Sequence, residues 1–499
     1  MTFGPSARGP RLTRRHVLKG AGGAAIYLAV GGTEIGGSVS QAVAAGFAGD
    51  GVHRFSSEPN LRPPTVHVSG HGVAPGYQLL GVKSRSGSQP GALILDDRGQ
   101  PVWFRPLEGA KMWATNLVAE EYKGAPVLVR WEGPVVDPGF GRGEGVIVDT
   151  SYREIARIRA GNGRKIDLHE LILTQQGTAL FTCYPEVVPA DLSSIGGPRN
   201  GRVQESIIQE VDVATGRLLW EWRGLDHIPV SESYQPMEDP YEYLHANSIQ
   251  VAPDGNLLVS FRHAWAVHKI HRRTGQIMWR LGGKRSDFQM GPGARFAWQH
   301  HARLIGSGLM TVFDNGSDGY IRTEPQSRGL VLAIDEANRT VSLVRSYRHP
   351  QPLLAAAMGS VQVLPADHTI VEWGLTGWTS EFDANGKLIW DMSLDAPKSS
   401  YRVLRLPWSA TPYWPPAIAT SRNRRTGNFA LHVSWNGATE VAYWQLLLGS
   451  SASHLRAAHI VKRTGFETTI EVGRGGGYAA ARALDANGRR LATTRAVRL

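Results

Sequence analysis

Three segments of the sequence place histidine near the head of an alternating strand that runs into a glycine turn. Residues 168–177 carry His169, residues 245–255 begin with His245, and residues 299–308 carry His300 and His301. After each turn comes a second apolar strand: Leu180-Phe-Thr, Leu257-Leu-Val-Ser-Phe and Leu309-Met-Thr-Val-Phe. His169 and His300 stand eight residues before their turn glycine and His245 ten, so a period of two projects all three from the same side. By the same count His301 faces the opposite way. The second strand of the middle unit ends in Arg262-His263. Imidazoles serve as nucleophiles, proton carriers or metal ligands, and a guanidinium forks onto an oxyanion. Units of this kind stacked around a ring would aim all of these groups at one point.

A second hairpin supplies the ring. It has the form apolar strand, Asp/Asn/Gly turn, apolar or aromatic strand, and it recurs at 92–104, 146–157, 208–220, 267–279, 330–342 and 380–390. Six copies start 54, 62, 59, 63 and 50 residues apart, with the histidine-bearing type of hairpin between them. One hairpin of each kind makes a four-stranded blade, so the pattern predicts an all-β, six-bladed β-propeller over residues 50–408. Residues 409–424 are rich in Pro and Trp without periodicity and read as a linker. Short strands then recur over 425–499, with an early strand Trp435 and a late Tyr478 before an Asn-Gly turn. This tail resembles a fibronectin type III sandwich.

The beginning of the chain is not part of that fold. Arg14-Arg15 precede a weakly apolar Gly/Ala-rich stretch and a small-residue Ala42-Val-Ala44 site. Residues 1–44 therefore read as a twin-arginine signal peptide, with an extracytoplasmic destination and no transmembrane span once it is removed. Cys183 is the single cysteine, so no intrachain disulfide can form and a large core must supply the stability. Residues 1–44 hold five basic residues and one acidic one, and losing them lowers the formal charge from +11 to +7. The remaining excess is diffuse, without the Lys/Arg blocks of a nucleic-acid binder.

With repeats and histidines placed, the chain resembles the PAPS-independent arylsulfate sulfotransferase (ASST) family over most of residues 55–405. The motifs are Leu244-His-Ala-Asn-Ser-Ile249, Leu258-Val-Ser-Phe-Arg-His263, Thr274-Gly-Gln-Ile-Met-Trp-Arg-Leu-Gly-Gly283 and Phe296-Ala-Trp-Gln-His300, leading to Val312-Phe-Asp-Asn-Gly316. The resemblance implies six blades and transfer of a sulfuryl group from a phenolic sulfate donor to a phenolic acceptor through a sulfated histidine, with no cofactor and no metal. It places the nucleophile at His300, helpers at His245 and His169 and the sulfate-binding arginine at Arg262. Asn247 has two readings, a substrate hydrogen bond or a bond to a backbone group at the blade edge. His263 and His301 are read as neighbours of the catalytic groups, and Trp298 and Trp373 as packing between blades. His301 departs from the pattern, because many relatives have a carboxylate there.

That chemistry suits these residue types. Sulfuryl transfer should resemble phosphoryl transfer, where the protein mainly positions groups and stabilises charge. A neutral imidazole attacks sulfur without prior deprotonation and divides one transfer into two. Arg262 holds two sulfonate oxygens in a fork, and a protonated His245 or His169 meets the leaving phenolate, whose free pKa is roughly 10. Three rivals stand beside this reading. The Asp-x-x-Thr-Gly-x-x-x-Trp turn at 212–220 is shared with quinoprotein dehydrogenases, although those usually have eight blades and a cysteine pair. An extracellular propeller scaffold without catalysis is another. A zinc hydrolase is weaker, because the histidines lack an obvious carboxylate partner and Arg262 opposes a cation.

Overall fold

The computed structural model describes residues 51–83, 87–109, 111–137, 139–306, 308–394 and 399–499; the twin-arginine segment lies outside them. The fold is all-β, with only short 3₁₀ turns between strands. Six antiparallel sheets follow one another along the chain up to Leu406. Each is built around a meander, because short Gly/Asp/Asn turns favour pairing of neighbouring strands, and three sheets add a strand from elsewhere in the chain.

Sheets two to four are built from strands in chain order, with the short strand Phe140–Gly141 paired beside the second strand of sheet two. Sheet two runs Met112–Tyr122, Ala125–Asp137, Glu144–Val148 and Glu154–Ile158; sheet three runs Ile166–Leu173, Thr178–Ala190, Gly201–Asp212 and Leu218–Arg223. Sheet four runs Ala246–Val251, Leu257–Phe261, Ala266–Ile270 and Ile277–Gly282. Sheet five runs His300–Leu304, Leu309–Asp314, Arg328–Asp335 and Thr340–Tyr347, with Gln289–Met290 added parallel at its outer edge. Sheet six, from Ser360–Val363 to Leu388–Leu394, gains Val66–Gly70 as an outer strand. Sheet one is completed from the far end of this run of sheets: Ser399–Leu406 pairs with Tyr77–Lys83, ahead of Gly91–Leu95 and Pro101–Pro106.

The six repeated hairpins of the sequence are the third and fourth strands of these sheets. The first strand of each sheet touches the first strand of the next, and Ser360–Val363 touches Ser399–Leu406, which touches Met112–Tyr122. The inner strands thus close a ring. Between sheets lie apolar layers such as Leu258, Val267, Trp279, Leu281, Met310, Val312, Leu330 and Leu332. At about 25 cal/mol per Å² of apolar surface, such layers are the main stabilising term for a chain without disulfides.

The tail differs from its expected boundaries. Residues 409–424 contain the strand Ala417–Arg422, which pairs with Phe429–Ser434, so the tail's first strand begins inside the segment that reads as a linker. A three-stranded sheet and a sheet with four strands in its main path share one core containing Ile418, Val433, Trp444, Ile470 and Ala481. The Pro/Trp segment is docked: Trp408 and Ala410 are buried, and Trp408 Nε1 donates to Tyr152 Oη at 3.0 Å. Asn436 donates to the Phe104 carbonyl and accepts from its N–H, both at 2.9 Å. Composition marked a chain with irregular backbone; apolar contacts, which leave no periodic trace there, fix it to sheets one and two. Among the described residues no helix is long and apolar enough to cross a membrane.

Candidate active site

The three histidine-bearing strands begin at the same end of the ring, and each carries an irregularity there. Register shifts fall between Ile166 and Leu171, between Ala246 and Ser248, and between His300 and Arg303. His245 and His301 also adopt positive φ, 56° and 52°. A bulge re-aims side chains at the end of a strand. It also breaks strict alternation, so the period-two count cannot be carried through to the imidazoles. His300 and His301 do point to different places, but the positive φ at His301 accompanies that divergence. His301 Nδ1 lies 3.2 Å from the Val361 carbonyl, in the seam between sheets five and six.

His300 is buried and its tautomer follows from its neighbours. Nδ1 lies 2.7 Å from Asn315 Oδ1 and 3.1 Å from the Trp298 carbonyl. Asn315 cannot present its nitrogen instead, because Nδ2 already donates to the carbonyls of Ala355 and Met358, both at 3.0 Å. Nδ1 therefore carries the hydrogen, and Nε2 keeps its lone pair. The Met358 N–H donates to that Nε2 at 3.2 Å. Burial, then the charge of Arg262, pushes His300 well below the ordinary histidine pKa, against the pull of Asn315. The ring is a neutral imidazole whose Nε2 lone pair accepts from the Met358 N–H, a bond it must release before that nitrogen can attack. The motif at 312–316 explains this support: Asp314 accepts from the Ala297 N–H at 3.0 Å and pairs with buried Arg328, which holds the approach to His300. Gly316 sits at φ +63°, where a Cβ would lie 2.6 Å from Glu324 Cβ.

Arg262 continues the second strand of sheet four. Its N–H donates to the His245 carbonyl at 3.0 Å, which places guanidinium and imidazole side by side. Nη1 lies 2.7 Å from His263 Nε2 and Nη2 donates to the Ala356 carbonyl at 2.8 Å, while Nε is buried without a partner. Residues 355–358 thus touch Arg262, His300 and Asn315 together. His169 and His245 meet through their Nε2 atoms at 3.0 Å. Each is held at Nδ1 by a carboxylate, His169 by Asp167 and His245 by Glu242. Burial, then the charges of His169 and Arg262, pushes His245 well below its ordinary range. Burial also takes His263 down to about 3, although the Glu242 charge opposes it. Desolvation raises Glu242, tempered because 24% of its side chain meets solvent. Phe140 covers the pair, its ring centre 5.6 Å from His169 and 4.9 Å from His245.

His300, His245, His169 and Arg262 therefore converge. Asn247 lies beneath them, fully buried, with Nδ2 donating to the Gln299 carbonyl at 2.7 Å and Oδ1 unpartnered. Its own carbonyl accepts from Tyr401 Oη at 3.0 Å and Arg402 Nη2 at 3.1 Å. Trp298 packs edge-on to Trp265 with ring centres 4.5 Å apart, and Trp373 packs against Phe313. The expectation that the histidines lack a carboxylate partner is overturned: Asp167 and Glu242 both bind imidazoles. The signal was present in sequence, two residues before His169 and three before His245. Asn315 stood in a recognised motif without a role. Arg402, which binds Glu170, Asn116 and the His169 carbonyl, carried no local signal because its partners lie in other sheets.

Glu242, His245 and His263 could supply ligands to a metal, their donor atoms lying within 4.8 Å of one another. The fit is poor on chemical grounds. His263 offers Nε2 to Arg262 and Nδ1 to the Glu242 carbonyl at 2.7 Å, so a cation would have to displace the guanidinium and stay beside it. A cavity of about 660 Å³ lined by Glu205, Arg223 and Asp226 lies at the outer part of sheet three and includes none of the site residues.

The arylsulfotransferase (ASST) sequence profile matches residues 119–395, more than half of the chain, from within the first strand of sheet two through all of sheets three to five. The chain belongs to the arylsulfotransferase family. No curated protein sequence matches it. Among solved structures, a Bacteroides caccae protein of unknown function is 16% identical, covering 66% of this chain and all of its own, with a TM-score of 0.39. A Staphylococcus aureus virginiamycin B lyase is 10% identical over 67% of this chain and 97% of its own, with a TM-score of 0.34. These low-scoring likenesses leave the site's chemistry to the family match and the geometry. Family membership makes the chain a transferase acting on aryl substrates.

Proposed function

We propose that this arylsulfotransferase works without PAPS, moving a sulfuryl group from a phenolic sulfate ester to an acceptor phenol through a sulfated His300. The six sheets serve as the blades of one propeller and the tail as a fibronectin type III-like module. The observation that carries the reading is the His300 tautomer. With Nδ1–H held by Asn315 and burial opposing protonation, Nε2 has the lone pair that an attack on sulfur requires. Arg262 supplies positive charge for the sulfonate oxygens; the two-oxygen fork expected from sequence is not free, because both Nη atoms bond within the protein and Nε is shut away from solvent. In the first half, the Nε2–S bond forms as the S–O(aryl) bond breaks, and the His245–His169 pair gives the departing oxygen a proton. In the second half, the acceptor oxygen attacks sulfur, the N–S bond breaks, and the same pair takes the acceptor's proton.

The test is incubation with a phenyl sulfate alone. One sulfuryl mass should appear on a peptide containing His300, a phenol should discharge it, and His300→Ala should abolish both. Sulfuryl mass on His301 would overturn the assignment, and transfer without a modified histidine would mean direct displacement. Export by the twin-arginine route belongs to the same proposal. Retention of the protein in the cytoplasm is expected when Arg14 and Arg15 both become Lys, and undiminished export would contradict it.

A further inference from the structure

The two carboxylates at the ends of the histidine pair impose a proton count. Three contacts run in series: Asp167 to His169 Nδ1, His169 Nε2 to His245 Nε2 at 3.0 Å, and His245 Nδ1 to Glu242. Each contact needs one hydrogen between its atoms. Two neutral imidazoles supply two, so an intact chain holds one additional proton and carries a net charge of −1 rather than −2. The ends of the chain differ. Asp167 is buried and also accepts from the Gly141 N–H at 2.9 Å, the His169 N–H at 3.3 Å and Thr182 Oγ1 at 3.4 Å. Among the described residues no backbone N–H donates to the Glu242 carboxylate, which alone of the four reaches solvent appreciably.

We propose that Asp167–His169–His245–Glu242 stores the single proton that the transfer reaction lends to the leaving phenol and recovers from the acceptor, with Glu242 as its exchange point with solvent. This rests on the sulfuryl-transfer reading above. In the first half-reaction the proton between the two Nε2 atoms moves to the phenolate oxygen as the S–O bond breaks and the bond from His300 Nε2 to sulfur forms. Both rings of the pair are then neutral, with Nδ1–H on the carboxylates and two lone pairs facing the departed phenol's place. The acceptor hydroxyl donates into that gap as its oxygen bonds to sulfur and the N–S bond breaks, and the chain is refilled. No net proton is consumed. Asp167 and Glu242 act through the imidazoles and are positioning residues. The groups that face the chain are Arg262, His263 and His300, which disfavour further protonation, with Phe140, Thr182 and Tyr401 as uncharged walls.

The sign follows from the order of events. Histidine sulfation needs the stored proton and falls as pH rises through the chain's apparent pKa; discharge needs the empty gap and falls as pH drops below it. Glu242→Gln keeps an oxygen for His245 but removes one negative charge, so the proton is lost at lower pH. The alkaline limb of sulfation should move down by at least about one pH unit. The loss should be about 100-fold with phenyl sulfate, whose leaving group needs the acid, and under about threefold with para-nitrophenyl sulfate, whose does not. Asp167→Asn should act in the same direction and serves if Glu242→Gln fails to fold. An unmoved alkaline limb, or equal loss on both donors, overturns the stored proton while leaving His300 as nucleophile. Absence of any transfer by the unmodified protein removes the sulfuryl reading and this inference with it.

Discussion

Replacing Asn315 tests whether the tautomer of His300 sets its reactivity. Asn315→Leu removes the acceptor 2.7 Å from Nδ1, leaving the Trp298 carbonyl at 3.1 Å, and takes a donor from the carbonyls of Ala355 and Met358. One buried hydrogen bond is worth about 1–1.5 kcal/mol, so single-turnover sulfation at pH 7 should slow about tenfold. Two carbonyls losing a donor add a stability loss of roughly 2–5 kcal/mol, which denaturant titration reads separately. Asn315→Asp distinguishes tautomer from mere packing. It keeps an oxygen toward Nδ1 but adds a negative charge, which should raise the His300 pKa by about one to three units. In the unmodified protein burial and Arg262 hold that pKa well below 6.5, so sulfation from donor alone should not fall near pH 6.5 through protonation of His300. Asn315→Asp should introduce such an acid limb, because protonated imidazole has no lone pair for sulfur. Quenched-flow mass spectrometry of the His300 peptide across pH is the assay. If the leucine variant sulfates at the unmodified rate, or the aspartate variant gains no acid limb, the tautomer argument fails.

Acid stability should follow the buried neutral histidines. His263 and His268 are pushed to about 3 by burial, so between about 3 and 6.5 the unfolded chain binds protons that the folded chain does not. Stability then rises with pH across that window, by about 1.4 kcal/mol per pH unit for each such histidine; a flat denaturation profile from pH 4 to 6 would contradict it. Arg402→Met should destabilise by about 3 kcal/mol, because Glu170 loses bonds at 2.5 and 3.0 Å in a buried site and keeps Arg303 at 2.6 Å. A change below about 1 kcal/mol in equilibrium unfolding would show the network to be dispensable.

Much of this protein was legible in sequence, because its repeating unit is local. A strand, a Gly/Asp/Asn turn and a second strand declare themselves within a dozen residues, and the six outer hairpins coincide with the third and fourth strands of the six sheets. The histidines and Arg262 were legible for a related reason: each stands at a strand end, and strand ends in a ring of sheets meet at one face. Asp167 and Glu242 lay close enough in sequence to be found, yet nothing local said that they would turn toward their histidines. Strand phase gave a direction for His169, His245 and His300, but bulges at all three places broke the alternation on which it rested.

What the sequence determined by itself was the set of parts: alternating strands, their turns and the reactive side chains at their heads. Tertiary structure alone decided what those side chains are. Met358 caps His300 from 58 residues away, and Arg402 reaches the His169 carbonyl across 233, because Ser399–Leu406 returns to complete the first sheet. Protonation state, tautomer and charge balance depend on such neighbours within about 3 Å, and ring closure chooses neighbours without regard to their distance along the chain.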